Sequence, residues 1–292
     1  MELVSLRQLA RVMPTRDIVF VAPAGLDTGK HREAVPCANF SELDPAWFAS
    51  HKDHSRLLRS PTLFDLFGGY SHMLLHESDA IAIADDLDRW CTETFDYIGA
   101  PWFEGFSYAT EGSELLAAGN SGFALIRIAA ARHALTSRKR WYPFAKVARD
   151  FRKSIRKRHI KYLRHGLAGL GRAGRIDNAY RIQFPADAFW SFVVPSHLPE
   201  FKVASAERAL EFAWETLPGR CYALCNGRLP FGIHAWSKHD FPFLRPLLEG
   251  AGVDFSPLDG ALQPSRGGLP LARPSPISPP RRADTPGGTR QH

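Results

Sequence analysis

The 292 residues include only four cysteines, Cys37, Cys91, Cys221 and Cys225. They are too few and too scattered for a disulfide framework, and Cys221 and Cys225 have no second pair at zinc-ligand spacing. All four therefore read as reduced packing thiols in a reducing compartment. Long apolar runs are also lacking. The most apolar stretch, Leu115 to Ala131, is interrupted by Asn120, Ser121 and Arg127, short of the roughly 18 uncharged residues of a membrane span. The first residues, MELVSLRQLARVM, carry an acid at position 2 and no apolar core, which argues against a secretory signal and for a cytoplasmic protein. The loop Gly119-Asn-Ser-Gly122 is not Gly-x-Gly-x-x-Gly, and no P-loop Gly-Lys-Ser/Thr occurs, so a P-loop phosphate cradle is excluded.

Charge of one sign is unevenly spread. The net charge is +7, yet residues 138–165 hold 12 basic side chains against one acid, Asp150, and residues 264–292 hold five Arg against Asp284. The remainder of the chain sums to −8. A fold that reads nucleic acid with its core should be basic there, and this one is acidic, which argues against nucleic acid as a partner.

Composition is that of a folded domain, 45 % hydrophobic and 23 % charged, long enough to bury a large core. Leu3, Leu6, Leu9 and Met13 have helical spacing and stop before Pro14; Asp17 to Ala22 then reads as a buried strand. Helix followed by strand is the alternation of a parallel sheet. It continues with a helix over 60–67, strands over 71–76 and 80–83, a helix over 85–91 with acids in its first turn, and strands over 96–102 and 122–127. The last is entered through a polar loop, Gly119-Asn-Ser-Gly122. Residues 138–165 place Phe144, Val147, Phe151, Ile155 and Tyr162 at helical intervals among Arg and Lys, a basic amphipathic helix within an insertion of about 138–180. The alternation resumes from Asp187, with a short strand over 201–204 and a helix capped by Ser205. From about Gln263 the Pro, Gly, Arg and Ser content predicts a disordered tail, 263–292.

Four acids or bases could carry chemistry. Glu77 and Asp79, two apart at the end of a strand, would share a face at the sheet edge where open α/β sheets bind ligands. Two hard oxygen donors suit Mg²⁺ or Mn²⁺ bridging to a diphosphate, although two acids in a solvated turn would look the same. His234 lies in the apolar segment Pro230 to Trp236. Asp187 stands beside Phe189 and Trp190, where a raised pKa would suit a general base and a helix-start acid would look alike. The His51/Asp53/His54 and His72/His76 groupings have poor metal-ligand geometry.

Together, Ser71 to Ala80, Trp90 to Trp102 with Asp96-Tyr-Ile-Gly-Ala-Pro-Trp102, Gly119 to Arg127, Asp187 to Trp190 and Leu229 to Trp236 resemble the ordered motifs of an uncharacterised microbial family of unknown function. That family in turn resembles type A (GT-A) glycosyltransferases. The resemblance implies one α/β domain over 1–262, a GT-A-like, Rossmann-like mixed and mostly parallel sheet flanked by helices, with the basic helical insertion added. In the family a strand precedes the helix with which residues 2–12 begin, so this chain either starts further upstream or lacks part of its donor site.

The resemblance also places roles on residues. Asp79, with Glu77 and His234, would hold Mn²⁺ or Mg²⁺; Asp187 would activate the acceptor hydroxyl. Gly119, Asn120, Ser121, Gly122, Trp102 and Trp190 would line the substrate. The implied partners are a nucleotide-sugar donor and a glycan or lipid-linked acceptor. Residues 138–165 could dock on anionic lipid at the inner face of the membrane. Relatives show Glu-Asp where this chain has Ala186-Asp187, so a non-catalytic carbohydrate- or nucleotide-binding protein is the rival reading.

Overall fold

The computed structural model describes residues 1–142, 146, 148–149, 151–152, 167 and 170–259. Residues Met1–Phe255 form one compact unit, of mixed α/β architecture. The basic helix expected over 138–165 lies outside the described residues except for 138–142, 146, 148–149 and 151–152, and the tail 263–292 lies wholly outside them. The two ends of the insertion meet where Arg140 pairs with Arg175 in an isolated antiparallel bridge.

Most elements fall where periodicity puts them. Helix α1 (Glu2–Val12) buries Leu6 and Leu9, and β1 (Val19–Pro23) pairs in parallel with β2 (Asn39–Leu43). Between them lies α2 (Gly29–Ala34). Helices α3 (His51–Leu57) and α4 (Pro61–Leu66) follow, the first capped by Ser50 Oγ and the second opened by a proline. These are the local signals that start helices.

The described residues do not show the single mixed, mostly parallel sheet expected. Their sheets are three small ones, and the central one is antiparallel: β3 (His72–His76), β6 (Leu115–Arg127) and β5 (Tyr97–Phe103) in the order β3-β6-β5. A third sheet joins β4 (Ile81–Ala82) to β8 (Gly232–Ile233) antiparallel, and β8 to β7 (Ala213–Trp214) in parallel. The segment 201–204 contributes only a bridge from Val203 to Tyr97.

The central sheet is buried on both faces. Alternation along β5 and β6 sends Tyr97, Ala124 and Ile126 into one core with Leu63 and Phe64 of α4 and with α6 (Ile128–Thr136). It sends Ile98, Phe123 and Leu125 into the other, with Leu9 and Met13. The second core also takes Trp90 of α5 (Leu87–Cys91) and Phe212 of α9 (Ala206–Phe212), whose N-cap is Ser205, as its sequence predicts. Helices on both faces make a strand read as a continuous apolar run, and all seven residues of β5 are buried.

Gly119 to Gly122 is not a loop before a strand but part of β6. The register jumps from Gly99↔Ala124 to Ala100↔Asn120, so residues between are displaced from β5 in a wide bulge. Asn120 Oδ1 accepts from the Gly122 amide at 2.8 Å within the bulge. The approach is so close that a Cβ on Gly99 would lie 2.0 Å from the Asn120 carbonyl oxygen.

Residues 186–197 are helical: α7 (Ala186–Ala188) runs through a π turn, Phe189–Val193, into α8 (Val194–His197). No helix among the described residues is long and apolar enough to cross a membrane. All four cysteines are free thiols.

Candidate metal and acid–base site

Three strand ends converge. Strand β3 stops at His76, so Glu77 and Asp79 meet through a turn rather than by strand alternation: the Ala80 amide donates to the Glu77 carbonyl at 2.9 Å. The Glu77 amide donates to the Gly122 carbonyl at 2.8 Å, tying this turn to the bulge. Ile81 pairs with Ile233, and Ile233 with Trp214. Asp79 just before β4, His234 just after β8 and Glu215 just after β7 are thereby brought to one place.

His234 is the hub. Its Nε2 lies 3.2 Å from Asp79 Oδ1 and 3.5 Å from Glu77 Oε2, and its Nδ1 lies 3.2 Å from Glu215 Oε1. Glu77, Asp79 and His234 each offer a ligand atom within 4.8 Å of the others. Burial opposes the charged imidazole, but hydrogen bonding to Asp79, Glu215 and Glu77 outweighs it and pushes the pKa up to about 11. In return the His234 hydrogen bond holds the Asp79 carboxyl well below the usual range. Burial works against ionisation of Glu77, yet His234 and His54 lower its pKa; His54 Nδ1 lies 3.9 Å from Glu77 Oε1.

Space for the His234 ring is made by Gly122, where a Cβ would fall 2.2 Å from its Cδ2 and Nε2. Ala235, next in the chain, has φ +49°, the left-handed region that costs a non-glycine residue about 1–2 kcal/mol. The turn it starts, closed by the Lys238 amide donating to the Ala235 carbonyl at 2.8 Å, returns Lys238 Nζ to Asp79. Three carboxylates thus face two cationic side chains, an excess of one negative charge. Hard oxygens beside an imidazole are a donor set that suits Mn²⁺ or Mg²⁺.

Asp187 begins α7, and its Oδ1 accepts from the Ala188 amide at 2.7 Å. Burial raises its pKa, that amide lowers it, and the negative charges of Glu215 and Glu77 raise it further. The fully buried Tyr97 Oη donates to the Gly119 carbonyl at 2.6 Å; burial raises the phenol pKa, and Asp187 adds to it.

The other expected substrate residues divide. Trp102 stacks on Phe192, with ring centroids 5.5 Å apart, and meets Phe106 edge-on. Gly119 abuts its ring, where a Cβ would lie 2.4 Å away. Ser121 is largely buried and Asn120 is spent on the bulge. Trp190 is a core residue: it is 1 % exposed, its Nε1 donates to the Leu58 carbonyl at 3.0 Å, and it packs on Phe64, Phe189 and Phe201.

Sequence reasoning missed Glu215, Lys238 and Tyr97, and set His54 aside as incidental. Comparison with characterised proteins and with solved structures gives no match. A family model does match residues 38–234, the span that holds Glu77, Asp79, Asp187, Glu215 and His234. The chain belongs to the DUF5672 family, described as proteins of unknown function.

Proposed function

We propose that this protein is a glycosyltransferase of type A-like fold that moves a sugar from a nucleotide-diphosphate donor to a hydroxyl of a glycan or lipid-linked acceptor. The observation that carries the reading is the convergence of Glu77, Asp79 and His234 within 4.8 Å of one another, in a cluster with surplus negative charge. A divalent cation, when bound, supplies neutralisation of the diphosphate. Asp79 and Glu77 would hold it through carboxylate oxygens and His234 through Nε2 after losing its proton, while Glu215 orients the ring from Nδ1.

Asp187 supplies the base. A half-buried carboxylate with a raised pKa takes the acceptor hydroxyl proton as that oxygen bonds to the anomeric carbon. The bond from that carbon to the diphosphate breaks, and the nucleoside diphosphate leaves with the electron pair. Attack opposite the leaving group inverts the anomeric centre. Trp102, with Phe192 and Phe106 around it, offers an aromatic face for a sugar ring.

A panel of nucleotide sugars with Mn²⁺, read by nucleotide release, tests the reading. Asp187→Ala should lose about 10²- to 10⁴-fold in turnover, the range of general base catalysis, with donor binding kept. Undiminished turnover in that variant, or full turnover in excess chelator, would sink the assignment. A second reading, binding of a nucleotide or sugar without transfer, draws on Lys238 and His234 already meeting Asp79. Calorimetric binding of a donor that is never turned over would favour it.

A further inference from the structure

Both oxygens of Asp79 face a cation. Its Oδ1 lies 3.2 Å from His234 Nε2, and its Oδ2 accepts from Lys238 Nζ. The two cations are held differently. The His234 side chain is 11 % exposed, wedged against Gly122 and tied through Nδ1 to Glu215. The Lys238 side chain is 64 % exposed and reaches Asp79 from the solvent side. An outer cation of this kind is the one an incoming ion can move.

The chain is bent to put it there. Ala235, at φ +49°, opens the turn after His234, and Asp240, at φ +47°, soon follows Lys238; both stand in the left-handed region that residues other than glycine adopt at a cost. The Lys238 amide closes the turn on the Ala235 carbonyl at 2.8 Å. An ammonium tethered so close to His234 meets Asp79 at an effective concentration that a dilute monovalent ion does not reach. Lysine is also the releasable choice: its charge is a single point on a flexible stem, whereas an arginine fork grips both carboxylate oxygens. A divalent ion on Asp79 and Glu77 would repel an ammonium still in contact with Asp79 Oδ2.

We propose that Lys238 is an internal counter-cation that competes with the divalent ion for Asp79: the ion binds as the ammonium lets go, and the amine is freed into solvent. This rests on the cation-site reading above and adds its regulation. Carboxylates that already hold a tethered monovalent charge gain nothing by exchanging it for K⁺ or Na⁺, so they answer to a divalent ion alone. The exchange also sets a threshold, because the ion must displace a resident partner and Asp79 stays capped at low divalent concentration.

The test titrates Mn²⁺ alone into the full chain at fixed pH by calorimetry. Lys238→Gln should bind it about two- to tenfold more tightly than the native protein, the scale of one exposed ion pair together with one neighbouring like charge. Lys238→Arg should bind it no more tightly than the native protein. Lys52→Gln, which removes the same charge from α3, should stay near the native value. A second readout is acylation of the Lys238 amine, followed by peptide mass spectrometry. Mn²⁺ should speed it about threefold or more, K⁺ at the same ionic strength should not, and in Asp79→Asn it should be fast without metal. Equal Mn²⁺ affinity of Lys238→Gln and the native protein, equal tightening by Lys52→Gln, or acylation that Mn²⁺ leaves unchanged would each overturn the displacement with the cation site left standing. No Mn²⁺ binding by the native protein and by Lys238→Gln at millimolar concentration would overturn the cation site itself, and the displacement with it.

Discussion

Replacing Gly122 by alanine should dismantle the His234 cluster without touching a charged group. The added Cβ would lie 2.2 Å from Cδ2 and Nε2 of His234, where 3.4 Å is ordinary contact, so the ring or the bulge must give by roughly 1.2 Å. The ring cannot retreat freely, since Asp79 and Glu215 hold its two nitrogens at 3.2 Å each. Overpacking a filled site costs about 1–3 kcal/mol. For a compact unit spanning Met1–Phe255, each kcal/mol lowers Tm by about 2–4 °C, which gives a fall of about 2–12 °C. The more telling readout is ligand linkage. Mn²⁺ at about 100 times its Kd should stabilise the native protein by about 2.7 kcal/mol, and Gly122→Ala should lose that gain as well. Gly219→Ala, at a helical glycine with no heavy atom within 4 Å of a new Cβ, should do neither. Differential scanning calorimetry with and without Mn²⁺ measures both. A Gly122→Ala protein that keeps its Tm within a degree and its Mn²⁺ response would refute the argument that this glycine exists to seat the histidine.

Two further outcomes follow from burial. Asp187 has a folded pKa raised above its unfolded value, first by desolvation, so its contribution is intact in acid and is lost as pH rises through the folded pKa. Asp187→Asn should therefore be more stable than the native protein at about pH 7.5 and converge with it at about pH 3, below the ordinary carboxylate range; urea unfolding at both would show it, and a gap that widens in acid would contradict it. Trp190→Phe should cost about 1–3 kcal/mol by leaving the buried Leu58 carbonyl without its donor, with little change in donor or metal affinity; a large affinity loss without destabilisation would return Trp190 to the ligand site.

Periodicity made the elements legible where each is long enough to repeat. Leu6, Leu9 and Met13 announce α1, and the apolar run 96–102 announces β5, because a strand covered by helices on both faces has no polar side. Trp190 was instead assigned to the substrate, although Ala186, Phe189, Trp190 and Val194, all buried, stand at helical spacing, a core stripe in which an aromatic beside an acid need not touch substrate. Glu215 was not legible, since Ala213–Trp214 is a two-residue strand and two residues show no period. Lys238 depends on the left-handed turn at Ala235, which no composition rule assigns to alanine. Glu77 and Asp79 were picked out for a strand-face argument and meet instead through a turn. Their chemistry was readable from residue type, their geometry only from the pairing of β4 with β8. The antiparallel centre of the sheet escaped because alternation of helix and strand does not fix strand direction when β6 returns beside both β3 and β5.

Stability alone gives no reason for the cluster. Buried ion pairs repay their desolvation poorly, and apolar residues of like volume usually do as well or better. Here the arrangement is costlier than a simple pair, with a largely buried imidazolium, three carboxylates and a strained alanine. Two glycines are given over to its support: Gly122 behind His234 and Gly232 against the ring of Phe123, where a Cβ would lie 2.4 Å away. At neutral pH His234 stands in as a cation among the carboxylates. A divalent ion that displaces its proton would leave the imidazole neutral and bring the three carboxylates and Lys238 to a net charge of zero with the ion included. The apo cluster keeps one uncompensated negative charge in a partly dry site. On the proposed reading, binding of the ion would remove that excess, the cost of assembling the carboxylates would become part of the driving force for capture, and a diphosphate would then meet a cation already held.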